Sequence, residues 1–287
     1  MNNSDSVATL RAHGAGRWFP GSRPELEKAV DRYMSEAKTA EVTGRIVCAI
    51  APHAGYQYSG PVAGYTFRAI SDNAATGGRP DAVVILGFGH RASFQGVAVM
   101  DAVALETPLG PAKLDRALVA ALTSASPLIR PMNMPHAGEH SAENLVPFVQ
   151  RALPGVPIVV VIMGDHREAT VDALAKAITA AAASRRLLVV ASTDLLHDPD
   201  YDLVRETDQH TLKIIASLDT AALAARWSPA KQVCCGVGPV LTVMRVSSAM
   251  GCREGKVLHY RNSGDDHPES RGEWVVGYGA VVFASQD

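Results

Sequence analysis

Residues Arg45-Ile46-Val47-Cys48-Ala49-Ile50-Ala51-Pro52-His53-Ala54-Gly55-Tyr56-Gln57-Tyr58-Ser59-Gly60 run from an apolar hexad into a turn and on towards a helix. The hexad is short, continuous and rich in β-branched residues, as expected of a strand buried on both faces. Pro52 disfavours helix for the residue before it and ends the strand. Gly55 and Gly60 permit tight turns, and Ser59 is placed to cap a helix opening at Pro61. His53 is thus expected at the C-terminal end of a buried strand, just ahead of a helix, where open α/β sheets bind their ligands. A lone histidine at such a place is commonly only a hydrogen-bonding residue, so the rest of the chain has to decide.

The same arrangement recurs. Asp81 to Leu86 is a second apolar run, ending in Gly87-Phe88-Gly89-His90. Pro157 to Met163 ends in Gly164-Asp165-His166, and Leu187 to Ala191 ends in Ser192-Thr193-Asp194-Leu195-Leu196-His197. Between these runs lie segments of helical periodicity at 24–38, 61–75, 113–126, 141–152 and 168–183, and further ones follow at 199–218, 220–227 and from 233 to about 250. Val97 to Leu105 reads as one strand, Lys256–Arg261 and Trp274–Phe283 as late strands that add antiparallel edges. Strands alternating with helices predict a single three-layer α/β/α domain over residues 1–287, with a mostly parallel, mixed central sheet. Residues 1–24 read as an N-terminal arm pinned by Trp18.

Composition narrows the function. The chain has 287 residues, 47% of them hydrophobic and 20% charged, enough for a large core. A net charge of −2 disfavours a general nucleic-acid or membrane-surface binder. No apolar run approaches the roughly 18 residues of a membrane span. The N-terminus shows no basic and apolar leader, and four irregularly spaced cysteines fit a reduced, cytoplasmic setting.

If the strands are parallel, His53, His90, Asp165 with His166, and Asp194 with His197 converge on one sheet edge. His140 and Cys235 each precede a helix. Two imidazoles and an anionic ligand, leaving open positions, are the usual holder of a non-haem iron. Cys235 is a third donor whose thiolate a helix N-terminus would stabilise, although its softness also suits zinc or copper, and buried cysteines are often inert. His140, Asp194 and His197 are then acid/base or orienting candidates. Glu139 and Glu143 could orient histidines, and Tyr56, Tyr58 and Glu143 are candidates for substrate contact; packing, or for Glu143 a solvated first helical turn, is the plain alternative for each. A G-x-S-x-G elbow, a Walker or Rossmann loop, C-x-x-C and H-E-x-x-H are all absent.

Ala51-Pro52-His53-Ala54-Gly55-Tyr56, Leu86-Gly87 with His90, Glu139-His140-Ser141 with Glu143, Ser192 with Asp194 and His197, Cys235-Gly236 and Ser263-Gly264-Asp265 together resemble the MEMO family, whose prokaryotic members are called AmmeMemoRadiSam system protein B. The resemblance runs from about Arg11, through Trp18-Phe19-Pro20, to Val276-Gly277-Tyr278. It implies a fold similar to the class III extradiol dioxygenases, with His53, His90 and Cys235 as metal ligands and His140, Asp194 and His197 around the same pocket. The dioxygenases use a carboxylate where this family has cysteine. Phe88-Gly89 replaces the commoner Pro-Ser before the second histidine, and Leu195-Leu196, Asp198 and Val237-Gly238 also depart from the family pattern. The function implied is a metal-dependent, non-haem iron oxidoreductase of dioxygenase type acting on a small molecule, with Fe(II), or else copper or zinc. The alternatives are a non-catalytic metal-binding or regulatory protein partnering radical-SAM and AMMECR-type proteins, and a zinc hydrolase.

Overall fold

A computed structural model describes residues 8–286 apart from Ala92. The central sheet has nine strands. Its middle is four parallel strands, β2 (Arg45–Ala51), β9 (Leu187–Ser192), β3 (Ala82–Phe88) and β8 (Ile158–Met163), adjacent in that spatial order. Outside β8 lie β4 (Val97–Val99), antiparallel to it, and β7 (Ile129–Pro131). Outside β2 lies β12 (Val275–Ser285), antiparallel, which pairs in turn with β10 (His197–Asp198) and β11 (Gly255–Asn262). A small separate sheet joins β1 (Thr9–Arg11), β5 (Ala104–Thr107) and β6 (Gly110–Lys113).

Successive side chains of a strand point to opposite faces, so each central strand feeds two cores. Val84, Leu86, Val159, Val161, Leu187 and Val189 face one; Val83, Ile85, Val160, Ile162, Leu188 and Val190 face the other. The first face is covered by α3 (Arg116–Ala125), α5 (Glu168–Ala182), α6 (Tyr201–Ala216), α7 (Thr220–Arg226) and α8 (Val237–Ala249). The second is covered by α1 (Arg23–Glu36), α2 (Tyr56–Gly77) and α4 (Val146–Ala152). A one-turn helix, α9 (Ser263–Asp266), follows β11, fixed by a reciprocal Asn262–Asp265 capping box. The layers are those expected of a three-layer α/β/α domain.

Four local expectations are corrected. Helix α2 begins at Tyr56, not Pro61, with Gly55 before it. The Tyr56 N–H donates to the Trp18 carbonyl (2.8 Å), and Ser59, inside the helix, donates to the Ala54 carbonyl (2.7 Å) instead of capping. Pro61 sits in the second turn. The segment 141–152 is not one helix: the Ser141 hydroxyl accepts from Phe88 N–H (3.1 Å) and donates to the Phe88 carbonyl (2.9 Å). A 3-10 turn over Glu143–Leu145 then leads into α4. The stretch 97–105 is two strands in two different sheets, because the chain leaves the large sheet after Met100. Residues 113–115 belong to β6 and its exit, and Asp115 caps α3 by accepting from Leu118 N–H (2.9 Å).

Candidate metal centre

Strand order explains why distant histidines meet. Ala51 is level with Ser192 across β2 and β9, and Leu86 with Ala191 across β3 and β9. The loops after these three neighbouring strands therefore carry His53, Asp194 and His90 to one edge. His140 arrives from the loop ahead of α4, tied to the end of β3 by the two Ser141–Phe88 bonds. Gly87 makes that approach possible, since a Cβ there would stand 2.5 Å from the Ser141 hydroxyl. One ring nitrogen from each of His53, His90 and His140 lies within 4.8 Å of the other two. The His53 ring meets those of His90 and His140 edge-on, with centroids 5.3 and 5.4 Å away.

Cys235 lies against His53, outside the group of three histidines. Its sulfur is 3.5 Å from His53 Nε2 and accepts from Asp194 N–H (3.3 Å), while the Cys235 N–H donates to the Asp194 carbonyl (3.2 Å). Gly236 permits this closeness, because a Cβ there would lie 2.6 Å from the Ser192 carbonyl. Burial pushes the thiol up, but the imidazoles of His53 and His90 outweigh it and bring Cys235 down to about 6. Cys234, equally buried but turned into the core, is held well above the usual thiol range by burial.

Outer partners fix the rings. His53 Nδ1 is 2.9 Å from the Ser192 hydroxyl, which itself donates to the Ser141 carbonyl. The His53 N–H donates to Asp194 Oδ1 (2.8 Å), and its carbonyl accepts from Asn144 (2.7 Å). Glu139 accepts from both the backbone N–H and Nδ1 of His90 (2.7 and 3.0 Å) and from the N–H groups of His140 and Ser141 (2.9 Å each). Burial opposes charge on both groups, yet the His90 pairing brings Glu139 down to about 2. Burial likewise works against an imidazolium at His90, but Cys235 and Glu139 raise it to about 10. His140 moves the other way, to about 3, through burial and the nearby His53. With Nδ1 of His53 and His90 occupied, Nε2 of each is the free donor, the arrangement in which histidines hold metals.

The remaining predicted site residues separate. Asp194 is fully enclosed and serves the backbone of His53 and Ala54 as well as Cys235; burial raises its carboxyl. His197 lies on β10 outside hydrogen-bonding reach of Asp194, its ring parallel to that of Trp274 at 6.0 Å; burial lowers it. Tyr58 meets His267 edge-on and helps line an aromatic cleft of about 450 Å³ with Trp18, Trp274 and Tyr278. Tyr56 points into the core and donates to the Asn144 carbonyl (2.7 Å). Glu143 accepts from Gly14 N–H (2.5 Å) in the N-terminal segment, and burial raises it to about 7.

Trp18 is the residue that sequence reasoning underrated. Its indole stacks on the His140 ring at 4.0 Å and 6°, so the supposed pin of an arm is a wall of the site. The only signal was a large aromatic in an otherwise polar segment. His166 is outside the three-histidine group, accepting from Gly238 N–H (3.1 Å) and stacked on Phe88 at 4.0 Å, while Asp165 pairs with Arg167.

Comparison with known proteins bears on the family and the fold. The family described as Memo-like protein matches residues 11–282. A MEMO1 family protein from Methanopyrus kandleri is 33% identical, with 94% of this chain and 96% of that protein aligned. Relatives from Pyrobaculum aerophilum and Pyrococcus furiosus are each 31% identical, over 94% and 95% of this chain and 96% and 98% of their own. The crystal structure of an uncharacterized protein from Escherichia coli K12 shares the fold at 14% identity with a TM-score of 0.50, covering 82% of this chain and 99% of that one.

Proposed function

This chain belongs to the Memo-like protein family, and from that premise we propose that it is a metal-dependent oxidoreductase of dioxygenase type, holding Fe(II) on His53, His90 and Cys235 and acting on a small organic molecule. The observation that carries the reading is the donor set: three imidazole nitrogens within 4.8 Å of one another beside a cysteine whose proton is easily lost. Two imidazoles and a thiolate fit a divalent transition metal, which would displace a proton from His90, and the contacts of Nδ1 with Ser192 and Glu139 leave Nε2 of each ring as the ligand atom. Fe(II) held there would supply one-electron chemistry.

The protein's own residues divide the remaining work. His140, which stays unprotonated down to about pH 3, is suited to be a fourth donor and poorly suited to carry a proton at neutral pH. We assign the proton-carrying role to His197, whose ring lies parallel to that of Trp274, a residue lining the 450 Å³ cleft. That volume is ordinary for a small-molecule site. Tyr58 and Trp18 offer ring faces to the substrate, and Trp18 also shields His140 from water.

The test is anaerobic purification with metal analysis by mass spectrometry, comparing the native sequence with His53→Ala, His140→Ala and Cys235→Ala. Near-stoichiometric iron that falls at least tenfold in His53→Ala and Cys235→Ala is the expected result. Zinc in its place would favour a hydrolase using metal-bound water. No metal, even after Fe(II) addition, would leave a binding or regulatory role beside radical-SAM and AMMECR-type partners.

A further inference from the structure

A second, smaller cleft of about 220 Å³ shares Arg17 and Trp18 with the aromatic one and is lined further by His13, Arg91, Glu139 and His140. We infer that it is an oxyanion subsite, in which Arg17 and Arg91 receive a carboxylate or phosphate group of the small molecule that the neighbouring centre acts on. The inference rests on the reading of that centre as a substrate site, but it stands on separate observations.

The first is the balance of charge. Among the described residues Glu139 is the one acid lining this cleft, and both its oxygens are already taken by four N–H groups of His90, His140 and Ser141. Its charge is thus neutralised from the inner side. The guanidinium groups of Arg17 and Arg91, by contrast, make no hydrogen bond or ion pair among the described residues, whereas nine other arginines, among them Arg116, Arg151, Arg185 and Arg245, are paired with acids. Two guanidinium groups facing one concavity repel each other unless an anion lies between them, and guanidinium binds carboxylate and phosphate through paired N–H donors.

The second is placement. Arg91 directly follows His90, and its charge is felt at His140. Arg17 and Trp18 line both clefts, so a ligand whose body lies against the aromatic rings has Arg17 within reach of its charged end. Gly138, at φ +77°, forms the outer rim beside Arg91. The cleft therefore combines a positive rim, a flat indole wall and direct access to a candidate ligand of the metal.

The experiment titrates inorganic phosphate, and separately acetate, into the full-length protein at constant ionic strength, with and without added Fe(II) under anaerobic conditions. The indole N–H resonance of Trp18, assigned with Trp18→Phe, is followed by NMR. Saturable movement of that resonance by either anion is expected, with the tighter of the two identifying the class. Arg17→Ala and Arg91→Ala should each weaken binding by about tenfold or more, the scale of a charge-assisted pair, while Arg253→Ala, in a cleft remote from the centre, should leave it unchanged. A resonance that does not move, or equal weakening in all three variants, overturns the subsite. Metal content is measured on the same samples: anion binding without metal sinks the metal reading alone, and metal without anion binding sinks this inference alone.

Discussion

At the scale of single residues, Glu139 does more than any sequence motif announced. One carboxylate accepts four N–H donors and fixes two of the three clustered histidines. Replacing it by glutamine keeps the size but removes the charge that outweighs burial at His90, and turns an acceptor into a donor facing N–H groups. Glu139→Gln should lower metal affinity by about 10–100-fold, the usual effect of losing a ligand's outer partner, as read by competition with a chelator. An unchanged affinity would mean that Glu139 serves only the loop. Sequence reading reached His53, His90, His140 and Cys235 because each stands beside a strand end or a helix start. It had no means of separating Tyr56, which is turned into the core, from Tyr58, which lines the cleft, since two positions along α2 change the face completely.

Among elements, the packing of α1 on α2 depends on two glycines one turn apart. A Cβ at Gly60 would lie 2.5 Å from the Tyr33 ring, and one at Gly64 would run into the Tyr33 carbonyl. Backbone yields less readily than a side-chain tip. Gly64→Ala should therefore destabilise the protein by about 1–3 kcal/mol through overpacking, although alanine is the better helix former. Urea denaturation measures this; a stability equal to or above that of the native sequence would show that α1 shifts without cost. The effect reaches the site, because Tyr56 at the start of α2 is bonded to Trp18 and to Asn144, which in turn holds His53. The start of α2 was misjudged for a related reason: Pro61 resembles a first helical residue, but the N–H of Tyr56 finds its partner in the distant Trp18 carbonyl.

For the whole molecule, two buried carboxyls set a pH dependence. Burial raises Glu143 to about 7, against bonds from the N-terminal segment that lower it. Burial raises Asp208 to about 7 as well, against the bonds from Leu196 N–H (3.0 Å) and Tyr260 (3.0 Å). In the unfolded chain both lose their protons near pH 4. Folding therefore binds protons between about pH 4 and 7. The stability these groups contribute is complete below pH 4, declines as pH rises towards 7, and is gone above. Each accounts for on the order of 3 kcal/mol across that window. Asp208→Asn and Glu143→Gln should flatten the decline, so that each variant gains on the native sequence at pH 8 relative to pH 5 in thermal unfolding. Parallel curves at the two pH values would exclude the two carboxyls as its source. Asp208 also faces Cys234, and Gly277 of β12 leaves no room for a Cβ beside it, so it holds α6 against β12 and, through the Leu196 N–H, against the residue just ahead of β10.

The sequence by itself determined the alternation of buried strands and helices, the family, and the residue types at each strand end. Those follow from local periodicity and from motifs a few residues long. Only the tertiary structure decided the strand order β2-β9-β3-β8, and with it which loops are neighbours. It alone brought Trp18 onto His140 across more than a hundred residues, left His197 parallel to Trp274 with no hydrogen bond to Asp194, and placed Arg17 and Arg91 on one cleft. Hydrophobic patterning fixes which face of an element is buried, but not which element lies beside it; that is settled by register, by glycines that admit close approach, and by buried polar groups that must find partners.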